Sequence, residues 1–295
     1  MISIIIPTHN RRLLLQEAIE SIAKQNDVDF ELIIVDDASS DNTVSYLNSI
    51  EGLKIKIIHN ESSLFAHGSR KKGYSCVTGD YVIFMDDDDF YIDEHFFKNA
   101  EKILDENSNV SVVIGSTVAF IDNVYGKVAD LGGEGIIGQY EYINGFCNRY
   151  KKPSSTLTAV FRRQALDNIG VKDFRMVNDT CIYLMGIIEG DVYLINKPVA
   201  AYRMHGGNIS NSRFKIRFIK DCLEAKRELY EIANSRNLIN NPKEWFSEQI
   251  SQSAFYFIVS SGKNVGITLY SLLWVLFRGK GTQLNVIRKA ISSLR

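Results

Sequence analysis

The sequence predicts an α/β protein: a mostly parallel central sheet with helices on both faces, followed by a helical C-terminal extension. Three observations carry this. Short, largely apolar β-rich runs recur in the first half of the chain. Stretches with helical spacing separate them. Three of these runs end in polar or acidic residues. Apolar strands alternating with helices are the mark of a parallel sheet covered on both faces.

The elements follow in order. Ile2 to Ile6 is a buried strand that Pro7 should stop. Arg12 to Gln25 reads as a helix with Leu14, Leu15, Ala18, Ile19 and Ile22 on one face. Glu31 to Val35 is the second strand, and Asp41-Asn42-Thr43 is a helix start. Lys54 to Ile58 is the third strand, Leu64 to Cys76 a helix, and Tyr81 to Met85 the fourth strand. Asp93 and Glu94 read as a helix N-terminus. Further strands are expected over Ser111 to Val118, Ser155 to Phe161, Val192 to Ile195 and Val199 to Arg203. Helices are expected over residues 139–149, Arg163 to Ile169 and Asp179 to Gly186. Leu131 to Gly138 is Gly-rich and reads as a mobile loop near the site. From about Asn211 the pattern is helical to the end. The expected division is a first domain over 1–210, in two halves (1–92 and 93–210), then a helical, basic extension over 211–295.

Composition narrows the class. The chain has 295 residues, 45% of them hydrophobic and 23% charged, enough to bury a sizeable core. Its formal net charge is -1, which excludes a protein held on nucleic acid by bulk charge. The charge is unevenly placed: residues 213–295 hold 14 Lys+Arg against 6 Asp+Glu, so an acidic body precedes a basic tail. Cys76, Cys147, Cys181 and Cys222 are scattered without metal-site or disulfide spacing. No secretory leader is expected from the first residues, and no apolar run reaches the ~18–20 residues of a spanning helix.

In open α/β sheets ligands bind outside the carboxyl ends of the strands, so those residues are the most informative. The first strand leads into Pro7-Thr8-His9-Asn10-Arg11, the second into Asp36-Asp37-Ala38-Ser39-Ser40-Asp41, and the fourth into Asp86-Asp87-Asp88-Asp89. Adjacent carboxylates repel unless a cation or hydrogen-bond donors compensate. Carboxylate oxygens suit Mg²⁺ or Mn²⁺, and an ion held by one or two of them completes its shell with phosphates and water. The cluster thus points to a metal-bridged phosphate ester such as a nucleotide. Neither GxGxxG nor GxxxxGK[ST] occurs, so recognition falls to side chains at the strand ends.

These motifs, in this order over about residues 2–92, resemble those of family 2 glycosyltransferases of the GT-A fold, the bacterial polysaccharide-biosynthesis type. The matching segments are Ile4 to Arg11, Val35 to Thr43, Ser69-Arg70-Lys71-Lys72-Gly73, and Gly79 to Asp89 with its D-x-D signature. Thr158 to Gly170, Asp173 to Asp179 and Tyr202-Arg203-Met204-His205-Gly206-Gly207-Asn208-Ile209-Ser210 resemble later family segments. Asn178-Asp179 stands where the family has Glu-Asp, and Cys181 where it has a further Asp.

The resemblance implies an inverting glycosyltransferase that moves a sugar from a nucleotide-diphosphate-sugar to a hydroxyl of a glycan or lipid-linked acceptor. A UDP-sugar is the favoured donor and a dTDP-sugar the alternative. Asp179 matches the family's catalytic base. A Mn²⁺ or Mg²⁺ ion would sit on Asp88 with Asp86 or His205, balancing the leaving diphosphate. Asp37 would accept from the base N–H, with Asp36 beside it, and Asp86 or Asp87 from the ribose hydroxyls. Arg70 would donate to the nucleotide or its phosphates. Pro7, Thr8, His9 and Asn10 would line the base pocket, and Arg203 would lie near the diphosphate. Each has a structural rival; Asp179, for example, could simply cap its helix.

Val265 to Phe277 is apolar all round, with Trp274 inside and basic residues nearby. It suits either an anionic membrane surface or burial against the catalytic domain. The resemblance implies a cytoplasmic enzyme, held peripherally at the inner face of the membrane if the first placement applies. A nucleotidyltransferase, or a catalytically inactive nucleotide-binding relative, is the alternative reading.

Overall fold

The computed structural model describes residues 1–205, 215–260 and 265–278. The chain divides into two compact units, Met1–Met204 and His205–Arg295.

The first unit is built on one mixed sheet. Its leading half is parallel: β3 (Ile55–His59), β2 (Phe30–Asp36), β1 (Ile2–Thr8) and β4 (Tyr81–Phe84) lie side by side in that order. Strands β1 and β2 are buried almost throughout, as their largely apolar runs require, and the buried Ser3 donates to Glu31 across them. Thr8 pairs with Asp36, and Asp36 with His59, so the strand ends reach one level.

Pro7 does not stop β1. Ile5 O accepts from Met85 N on the β4 side, and Pro7, two residues on, turns its nitrogen the same way. β4 has already ended there, so the missing N–H costs no ladder bond.

Beyond β4 the order continues β9 (Ala159–Arg162), β6 (Val110–Ile121), β10 (Asp191–Arg203) and β5 (Phe90–Tyr91). β9 is antiparallel to both neighbours, while β6 and β10 are parallel. The hairpin partner β7 (Val124–Val128) pairs with β6, and β8 (Gly135–Ile137) with β10. The two short strands expected over 192–203 are one strand, β10, with register shifts on either side of Pro198, where the N–H is lacking. The Ser155 to Phe161 run is a 3₁₀ turn, Thr156–Thr158, followed by β9. The Gly-rich segment expected to be a mobile loop instead contributes β8 and buries Leu131. Gly132 has φ +82, and a Cβ there would meet Arg149 O at 2.1 Å, so that turn admits only glycine.

Helices cover the sheet. α1 (Arg12–Ala23) buries Leu15, Ala18, Ile19 and Ile22. α2 (Thr43–Leu47) is a single turn. α3 (Phe65–Tyr74) lies so close on β1 and β2 that a Cβ on Gly73 would meet Ile5 at 2.6 Å. α4 (Phe96–Glu106) buries Phe96, Phe97, Ala100 and Leu104 at helical spacing. α5 (Gln139–Gly145), α6 (Arg163–Ile169) and α7 (Asp179–Ile187) complete the unit.

The described part of the second unit is helical: α8 (Ile216–Ser235), α9 (Pro242–Ser260) and α10 (Val265–Arg278). Tyr230 on α8 packs against Trp245 and Phe246 on α9, and Phe246 meets Trp274 on α10. α10 is two-sided rather than apolar all round in use. Ile267, Thr268, Ser271 and Trp274 are buried, while Leu269 and Leu273 are exposed. Trp274 is a packing residue within this unit. Among the described residues, no helix is long and apolar enough to cross a membrane.

Candidate active site

Four polar segments meet at the carboxyl edge of the parallel strands. Their geometry is set by which donors answer each carboxylate of the Asp86–Asp89 run.

Asp87 and Asp88 are answered by the turn after β1. Thr8 Oγ1 donates to Asp87 at 2.7 Å, and Arg11 Nη1 donates to Asp87 at 2.9 Å and Asp88 at 2.8 Å. Burial pushes the Asp87 carboxyl up, and Arg11 opposes it. Asp89 is buried, accepts from Arg203 N, and is pushed well up by burial and then by Asp88 and Asp86. Arg203, expected near a diphosphate, is committed to this loop. Its Nε donates to Asp88 O at 2.8 Å, its Nη2 reaches Glu17, and its guanidinium lies over Phe90 and Phe120.

Asp86 is answered by Arg70. That guanidinium is 4% exposed, donates through Nη2 to Asp86 at 2.7 Å, and through Nη1 to Asp179 at 2.9 Å. Nη1 also reaches Val177 O. Arg70 is therefore a buried bridge between carboxylates rather than a surface helix residue. Gly73 lets α3 approach the sheet closely enough to bring Arg70 there. Burial pushes Asp86 up to about 6, against the pull of Arg70. Burial also acts on Asp179, but Arg70 and then Lys152 draw it below the usual carboxylate range. Asp179 does not cap α7. Asn178 does, accepting from Cys181 N at 3.0 Å, which leaves the Asp179 carboxylate to Arg70. The Asn178 that departs from the family pattern thus has a local task.

Asp37 sits at the end of β2 and accepts four hydrogen bonds. They come from Ser63 Oγ, Leu64 N, Asn60 Nδ2 and Ser69 Oγ. Burial raises its carboxyl, but these donors win and hold it low. Asp36 orients local structure, accepting from Ser39 N with His59 Nδ1 at 3.4 Å. His9 is exposed, with Nδ1 against Asp37 O at 2.8 Å. Asn10, at φ 54, accepts from Ser40 N and Asp41 N and so ties the first two strand ends together. Pro7 is buried within β1.

The structure thus forms two clusters, Thr8 and Arg11 on Asp87 and Asp88, and Arg70 on Asp86 and Asp179, side by side along the Asp86–Asp89 run, with Asp36, Asp37, His9 and Asn10 at the neighbouring strand ends. His205 is the first residue of the second unit, and the part of its motif that follows it, 206–210, lies outside the described residues. Arg11 was missed as a site residue. The signal for it was the acid run itself, which demanded a cation from somewhere in the chain.

The donor set suits a hard cation. Asp86 and Asp88 offer oxygen ligands, and their side chains are 31% and 11% exposed. Among the described residues no group of three or more His, Cys, Asp or Glu is arranged to hold a metal. Two carboxylates fit an Mg²⁺ or Mn²⁺ that takes its other ligands from phosphate and water.

The family model "Glycosyl transferase family 2" matches residues 3–174, which include this edge up to α7. The chain belongs to glycosyl transferase family 2. It is a glycosyltransferase of the GT-A fold. Among its relatives is the UDP-Glc:alpha-D-GlcNAc-diphosphoundecaprenol beta-1,3-glucosyltransferase WfgD of Escherichia coli. It is 26% identical over 220 residues, 73% of this chain and 81% of that protein. The putative teichuronic acid biosynthesis glycosyltransferase TuaG of Bacillus subtilis is 25% identical over 73% of this chain and 83% of its own length. Among solved structures, Staphylococcus aureus TarS 1-349 in complex with UDP-GlcNAc has a TM-score of 0.64 at 18% identity. The match covers 99% of this chain and 89% of that one. The mannosyltransferase PcManGT of Pyrobaculum calidifontis, in complex with GDP-Man and Mn²⁺, has a TM-score of 0.57 at 13% identity. At these identities the two structures speak for the fold.

Proposed function

We propose that this glycosyltransferase takes a nucleotide-diphosphate-sugar, favouring UDP, and transfers the sugar with inversion to a hydroxyl of a lipid-linked glycan. One observation carries the reading: Arg70 ties Asp179, in the half read as meeting the acceptor (93–210), to Asp86, in the half read as binding the nucleotide (1–92). The relative WfgD, named for a diphosphoundecaprenol acceptor, supports the acceptor class, and the TarS complex with UDP-GlcNAc supports the donor class.

Inverting transfer is a single displacement. The acceptor oxygen bonds to the anomeric carbon as the bond to the diphosphate breaks, and the acceptor proton needs a base within hydrogen-bond reach. Asp179 is that base. Its carboxylate is 33% exposed, so one oxygen can meet an acceptor while Arg70 holds the other. The low carboxyl keeps it ionised at neutral pH. A Mg²⁺ or Mn²⁺ ion on Asp86 and Asp88 would offset charge growing on the leaving diphosphate. His205 as a further ligand rests on its motif alone. Thr8 and Arg11 fix the carboxylates that present this face, and Arg203 fixes their backbone.

A lipid-linked acceptor lies at a membrane. The net positive charge of residues 213–295 supports peripheral contact with an anionic surface.

Asp179→Asn tests the reading. The variant keeps nucleotide binding and loses roughly 10²- to 10⁴-fold in kcat. Full activity in the variant contradicts Asp179 as base.

A further inference from the structure

Phe65 is hard to explain as a packing residue. It is 62% exposed, so burial does not hold it. Its φ is +57, a region that bulky side chains avoid and that Gly or Asn enters readily. Neither solvent nor backbone preference favours phenylalanine there, and residues held in sparsely populated backbone regions cluster at ligand sites.

The backbone around it is pinned from several sides. Ser63 Oγ and Leu64 N both donate to the Asp37 carboxylate, and Phe65 N donates to Ser63 Oγ at 3.2 Å. Gly68 approaches Leu64 so closely that a Cβ there would lie 2.7 Å from the Leu64 Cβ. The Phe65 ring lies parallel to His67, with centroids 6.3 Å apart and planes 9° apart. The opposite end of the same anchor holds a second ring, since His9 Nδ1 meets Asp37 O. One buried residue at the end of β2 therefore fixes two exposed rings, His9 and Phe65, at the strand-end edge.

We infer that the Phe65 ring is a stacking platform for the nucleobase of the donor. The inference rests on the nucleotide-sugar reading above and adds to it the residue that grips the base. Flat aromatic faces bind nucleobases through stacking, and this grip tolerates any base because each has a π-face. Phe65 then contributes affinity, while base choice is left to hydrogen bonding.

The test is calorimetric binding to the full chain with Mn²⁺ present. The probes are UDP, dTDP and inorganic pyrophosphate, which has the diphosphate but no base. The proteins are wild type, Phe65→Asn and Phe65→Trp. Asn suits the left-handed backbone, so Phe65→Asn folds with a Tm equal to or above wild type. It is expected to weaken the preferred nucleotide by roughly 5- to 100-fold, within the range of one lost base stack, and to leave pyrophosphate unchanged. Phe65→Trp keeps nucleotide affinity and its fluorescence is quenched on binding. Nucleotide affinity unchanged in Phe65→Asn overturns the inference and leaves the donor reading standing. An equal fall for nucleotide and pyrophosphate also overturns it, because the ring would then act on the diphosphate region. A wild type that binds neither nucleotide overturns both.

Discussion

Arg70 and Asp179 are 109 residues apart in the sequence, and their side chains meet at 2.9 Å. The same guanidinium holds Asp86 at 2.7 Å. One buried cation thus joins the acid run after β4 to the helix that carries the proposed base. Removing it leaves two neighbouring carboxylates without their counter-charge. Arg70→Gln is expected to destabilise the protein by about 3 kcal/mol, the low end for a broken buried pair because both acids are part-exposed. Denaturant unfolding checks this. Arg70→Gln combined with Asp179→Asn should cost less than the sum of the two single changes.

The acid run makes metal binding depend on pH. Asp86 is pushed up to about 6 by burial, against Arg70, with Asp179, Asp88 and Asp87 adding to the rise. The cation binds the ionised form, and a raised carboxyl takes its proton back at a higher pH than usual. Mn²⁺ affinity is therefore expected to hold above about pH 7 and to fall toward ten-fold per unit below about pH 6. Titration of Mn²⁺ by electron paramagnetic resonance across about pH 5 to 8 reads this directly.

Asp37 is a structural anion with a sign of its own. Its carboxyl is held below its ordinary value once hydrogen bonds overcome burial. The stabilisation is present above the unfolded carboxyl value and is lost as pH falls toward the lower folded one. Wild type should therefore lose part of its stability below about pH 4, and Asp37→Asn less of it. At neutral pH Asp37→Ala should cost about 2–3 kcal/mol, because Asn60, Leu64 and Ser69 lose an acceptor. Thermal unfolding over a pH series checks both.

Much of the fold was legible because its first half follows simple rules. Ile2–Thr8 and Phe30–Asp36 are apolar runs with no competing helical period, and their ends carry the polar residues that a parallel sheet collects at one edge. The misses lie where tertiary context decides. Pro7 stays in its strand because β4 stops first, and Pro198 shifts a register rather than ending a strand. Residues Phe90–Tyr91 form a strand only because β10 is there to pair with. At the strand-end edge the polar residues could be listed from the sequence, and their pairing could not. Arg70 was expected to face a nucleotide, and it faces Asp86 and Asp179. Arg203 was expected near a diphosphate, and it braces Asp88 and Asp89. Such pairs join distant segments, and no local spacing encodes them.

The donor site is tested most directly by calorimetry of UDP and dTDP, with and without Mn²⁺, on wild type and Asp88→Ala. One nucleotide is expected to bind wild type only when Mn²⁺ is present, and Asp88→Ala to lose that binding. Metal-independent binding that Asp88→Ala leaves intact, or no binding under either condition, would contradict a donor site at the Asp86–Asp89 edge.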